Sequence, residues 1–75
     1  MEQGNKTVAE YEVSFARLVK FSPDLVVTEE SRATRFEEGL RASIRQPVIL
    51  FEIVTYSRVV NKALLVEKAQ RLDLD

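Results

Sequence analysis

Residues 48–54 read Val48-Ile49-Leu50-Phe51-Glu52-Ile53-Val54, and their conformation decides the fold class. The stretch is rich in β-branched residues, which favour strands. A strand needs a partner, because an unpaired one leaves its backbone N–H and C=O groups unsatisfied. No second stretch of the chain has strand character. The segment therefore reads as the end of a short helix and the link that follows it. That helix is expected from Ile44 to about Phe51, opened by a Ser43/Gln46 capping box, with Pro47 in or just after the first turn.

Working outward, residues 56–72 read as the longest helix, capped by Thr55. Val59, Val60, Ala63, Leu64, Val66 and Glu67 span a wide face, Glu67 and Arg71 form an i,i+4 pair, and Leu65 lies opposite Ala63. Upstream, residues 29–38 read as a helix with Thr28 as N-cap and Glu29 and Glu30 in its first turn, where the helix dipole favours anions. Ala33 and Phe36 face inward, and Gly39 fits the left-handed position just past the end. A first helix is expected over residues 8–21. Thr7 and Glu10 form a capping box at its start, and Val8, Tyr11, Phe15, Leu18 and Val19 make one apolar stripe. Ser22-Pro23 ends it, since the residue before proline avoids the α region. Asp24-Leu25-Val26-Val27 is then a short apolar link. The whole is one domain over residues 1–75, with 1–6 as a leader and four helices of mostly local contacts.

Composition narrows the function. Lys plus Arg number 11 and Asp plus Glu 12, for a net charge of -1. A dedicated nucleic-acid or anionic-membrane binder carries a basic excess, so neither partner is expected. The chain has no Cys and no His. It thus lacks thiolate metal ligands, disulfides and the commonest general base. The Glu29-Glu30 and Glu37-Glu38 pairs point about 100° apart on a helix and do not converge as an acid/base pair. Arg32, Arg35, Arg41 and Arg45 are interleaved with those glutamates and read as a mixed-sign surface. No catalytic residue, metal or cofactor is expected, and the chain does not read as an enzyme. No stretch approaches the roughly 20 apolar residues of a membrane span, and no signal peptide follows Met1, so an intracellular location is expected. The informative feature is an apolar surplus, Leu50, Phe51, Ile53, Val54 and Leu65, beyond the obvious needs of a core this small. Such residues either complete the core or form a face that buries itself on another chain.

Gln3-Gly4, then Val8-Ala9-Glu10-Tyr11, Phe15 and Leu18, then Phe36-Glu37-Glu38-Gly39-Leu40-Arg41, Ile44-Arg45, Thr55-Tyr56 and Ala63-Leu64 recur in one order along the chain. This pattern resembles the capsid part of Gag polyproteins of gypsy-type long-terminal-repeat retrotransposons, particularly those of plants. Gln3, Gly4, Tyr11, Phe15 and Leu18 also resemble the capsid major homology region. The glycine-to-tyrosine spacing is one residue shorter than in the retroviral form, and Lys6 and Thr7 stand where the leader would carry an acidic residue. The resemblance implies a small four-helix capsid C-terminal domain. In it Gln3 and Gly4 tie the leader down, while the aromatics fill the core. It also implies a structural role without cofactor, namely self-association as a homodimer or higher capsid assembly that builds a cytoplasmic virus-like particle. Leu50, Phe51, Ile53 and Leu65 are the expected self-association residues. The alternative is a domesticated Gag-derived domain that takes a partner helix in a groove between its second and fourth helices.

Overall fold

The computed structural model describes residues 2–22, 24 and 28–73. Four helices follow in chain order: α1 Val8–Phe21, α2 Glu29–Gly39, α3 Ala42–Ile49 and α4 Tyr56–Asp73. Among the described residues there is no strand, so the domain is all-α. The expected stop at Pro23 and the link residues Leu25, Val26 and Val27 lie outside the described residues.

Local chemistry sets the start of α1. The Glu10 N–H donates to Thr7 Oγ1 at 3.2 Å, and the Thr7 N–H donates to Glu10 Oε1 at 2.9 Å. The two hydrogen bonds hold the Glu10 carboxyl below the usual carboxylate range. They satisfy two donors that would otherwise lack a helical partner. At the start of α2 the Ser31 N–H donates to Thr28 Oγ1 at 3.0 Å.

The core joins Val8, Tyr11 and Phe15 of α1 to Ala33 and Phe36 of α2, Leu40, Ile44 and Val48 of the α3 region, and Val59 and Ala63 of α4. Aromatic rings form its centre. Phe36 lies 4.7 Å from Tyr11, 5.3 Å from Phe15 and 5.5 Å from Tyr56, centroid to centroid. The Phe15 and Phe36 rings meet edge to face, an arrangement that their quadrupoles favour. The Tyr11 hydroxyl donates to the Phe36 carbonyl at 3.0 Å. Burial pushes the Tyr11 hydroxyl up to about 12. It therefore stays protonated and able to donate.

Three expectations about element ends are corrected. Gly39 is not a left-handed cap: it is the last residue of α2, and Leu40 leaves the helix in extended conformation, φ -68°, ψ 151°. The Gly39 carbonyl is held instead by the Gln3 N–H, at 2.8 Å. Next, α3 starts two residues before Ile44, with Arg41 as an N-cap that makes no side-chain cap bond. It also ends at Ile49, before Phe51. At the start of α4, the Tyr56 N–H donates to Glu29 Oε1 at 3.0 Å, so a carboxylate from α2 holds this amide. Thr55 contributes its carbonyl, which accepts from Val59.

Pro47 sits inside α3, past its first turn. A helical proline removes the hydrogen bond to the carbonyl four residues back and crowds it. That carbonyl belongs to Ser43, and Gln70 Nε2 of α4 donates to it at 2.8 Å. Gln70→Ala is accordingly expected to cost about 0.5–1.5 kcal/mol. Urea denaturation checks this, and an unchanged midpoint would mean that water replaces the amide freely.

Candidate functional site

Two regions carry the residues singled out from the sequence: a buried clamp at the leader and an exposed apolar face at the opposite ends of α3 and α4's outer side.

The clamp is built on Gln3, a polar side chain only 1% exposed. Its Nε2 donates to the Lys6 carbonyl at 2.9 Å, and its Oε1 accepts from the Arg41 N–H at 3.0 Å. Its own N–H donates to Gly39, and its carbonyl accepts from Lys6. The side chain therefore bonds at both ends of the amide, as a buried amide must. Gly4 adopts φ 55° in the turn between Gln3 and Lys6, a conformation open to glycine and strained for residues with a Cβ. Tyr11 and Phe15 are core residues, and Leu18 is half-buried.

A residue that the sequence did not single out for this region completes the clamp. Glu67 Oε2 accepts from the Val8 N–H at 2.9 Å and lies 3.7 Å from Arg41 Nη2, while Oε1 lies 3.5 Å from Arg71 Nη2. The leader carries no acidic residue at Lys6-Thr7, and the start of α1 is held by two carboxylates, Glu10 of its own first turn on the Thr7 N–H and Glu67 of α4 on the Val8 N–H. The i,i+4 pair with Arg71 was visible in the sequence, but the bond to Val8 spans 59 positions and leaves no local signal.

Three of the four arginines, Arg32, Arg41 and Arg45, are engaged by separate partners. Arg32 lies over the Tyr56 ring, 5.5 Å from its centroid, Arg41 pairs with Glu67, and Arg45 donates to the Glu38 carbonyl at 3.4 Å. Burial, then the Glu12 charge, hold the Tyr56 hydroxyl above its usual value, and it donates to Glu12 Oε1 at 3.2 Å. The seam between α2 and α4 is filled by Phe36 and Tyr56.

The apolar face lies elsewhere. Leu50 is 81% exposed, Phe51 57% and Leu65 60%, and Val54 and Leu72 are also exposed. Ile53 differs from Leu50, Phe51 and Leu65: it is half-buried and packs on the core. Leu65 and Leu72 are seven residues apart and so share one helix face, roughly opposite buried Val59 and Ala63. Phe51 joins this face because its ring lies 3.6 Å from Nζ of Lys62, three residues before Leu65 on α4. With apolar residues on two opposite sides, α4 has the pattern of a helix covered from both. Among the described residues nothing covers the second side.

Also among the described residues, no helix is long and apolar enough to cross a membrane. Comparison of the chain with protein-family models, curated proteins and solved structures gives no match.

Proposed function

We propose that the domain is a self-association module, of the kind that the Gag resemblance implies, in which copies pair to build the shell of a cytoplasmic virus-like particle. The observation that carries this is the exposure of Leu50 and Phe51 in the α3–α4 turn and of Leu65 on α4, with Phe51 tied to α4 through Lys62. Exposed apolar groups that lie together mark association surfaces. A net charge of -1 lets identical chains approach with little overall repulsion, which supports a second copy as the occupant. Repetition in a closed assembly makes weak individual contacts sufficient.

Light scattering on a size-exclusion column tests this. The mass is expected to rise from 8.6 kDa toward twice that value with concentration. Leu50→Asp combined with Leu65→Asp is expected to give a monomer with unchanged circular dichroism, because both side chains stand in solvent. A wild-type chain that stays monomeric to millimolar concentration would end the proposal, and a double variant that associates like wild type would place the contact elsewhere.

A further inference from the structure

The turn after α3 presents Phe51 with more order than a connection requires. Glu52 adopts φ 48°, in the left-handed region that disfavours residues with a Cβ. A strained non-glycine residue is a pointer to function, because strain persists only where the surroundings impose it. Phe51 itself is more than half exposed, yet one face of its ring is held by Lys62 Nζ at 3.6 Å. Lys62 is half-buried, and among the described residues it is in no ion pair. A cation over an aromatic face is attracted by the ring quadrupole.

We infer that Lys62 is the positioning residue of the association face: it fixes the Phe51 ring on α4 beside Leu65, so that a second copy meets an already ordered aromatic anchor. The inference rests on the self-association proposed above. Its physical basis is preorganisation. An aromatic side chain that is immobilised before contact loses less rotamer freedom on binding, and aromatic anchors dominate interface energetics.

The test compares wild type, Lys62→Gln and Lys62→Arg by concentration-dependent light scattering, with each repeated in a Phe51→Leu background. Lys62→Gln is expected to weaken association about two- to fivefold, and Lys62→Arg to restore it, because both lysine and arginine place a cation on the ring. In the Phe51→Leu background the Lys62→Gln effect is expected to vanish. In the dilute monomer, the ε-methylene protons of Lys62 should be shifted upfield by the ring in NMR spectra, and Phe51→Leu should abolish the shift. Several results overturn the inference while self-association stands. They are Lys62→Gln association as tight as or tighter than wild type, an effect that persists without the Phe51 ring, or unshifted Lys62 protons. A wild-type chain that does not associate overturns both the inference and the function it rests on.

Discussion

Phe36→Ala is expected to leave the domain close to unfolded at physiological temperature. Phe36 is fully buried and its ring meets Tyr11, Phe15 and Tyr56. Truncating such a phenylalanine costs about 3–5 kcal/mol, the sum of lost transfer energy and the cavity left behind. A chain of 75 residues has a total stability of about 4–11 kcal/mol on the usual per-residue scale. The loss is therefore between about a quarter and all of that stability. Relaxation offers little relief, since α1, α2 and α4 all contribute rings to the cluster, and closing the gap would require two helices to shift together. The Tyr11 hydroxyl is also tied to the Phe36 carbonyl, so a shift of the α2 backbone would strain that bond. Circular dichroism with urea denaturation is the measurement, and Leu50→Ala, in solvent, is the control expected to change stability by no more than about 0.5 kcal/mol. A Phe36→Ala variant within about 1 kcal/mol of wild type would show that the cluster does not act as the centre of the core.

Which parts of this fold could be seen in the sequence follows from the range of the interactions. Residues 8–21 are helical as their periodicity and the Thr7–Glu10 box predict, because both signals act within four residues. The Glu67–Arg71 pair and the outward position of Leu65 follow from helix geometry alone. Rejecting a strand at Val48–Val54 also rested on a sound physical premise, the absence of a partner. The misplaced boundaries share a different cause. Gly39 reads as a left-handed cap only if its carbonyl is free to turn, and Gln3, 36 positions earlier, holds that carbonyl. Ser43 reads as an N-cap only if the helix begins after it, but the Arg41 carbonyl already accepts from the Arg45 N–H while Gln3 Oε1 holds the Arg41 N–H in place. In each case a side chain distant in sequence outcompetes the local option, and single-sequence periodicity carries no trace of it. Ile53 belongs to the same class, since core and exposed apolar residues look alike until the turn at Leu50–Glu52 sets which way each one faces.

The Gln3 and Glu67 contacts make the leader part of the folded unit, and Glu67→Leu should show how strongly. Leucine is close in size and keeps the helix propensity of α4. What it removes is the acceptor for the Val8 N–H, and Val8 is fully buried. A buried amide left without a partner costs about 1–3 kcal/mol, and here the lost bond was to a charged oxygen, toward the upper end of that range. The Arg41 and Arg71 guanidiniums are substantially exposed and will be rehydrated, so their loss of a partner adds little. Glu67→Leu is therefore expected to lower stability by about 2–3 kcal/mol, and Glu67→Gln, which keeps an acceptor oxygen but no charge, by about 1 kcal/mol. The ordering separates two explanations. If the ion pairs dominate, Gln and Leu should be equally damaging, and high salt should weaken wild type to the same level. If the bond to Val8 dominates, Gln should recover most of the loss, and wild-type stability should change little with salt. Native-state hydrogen exchange adds a local readout: in Glu67→Leu the Val8 amide should exchange faster, and protection of Tyr11 should fall with it, because α1 then begins without its anchor. Equal protection of Val8 in both variants and wild type would mean that the amide finds another acceptor and that the clamp depends on Gln3 alone.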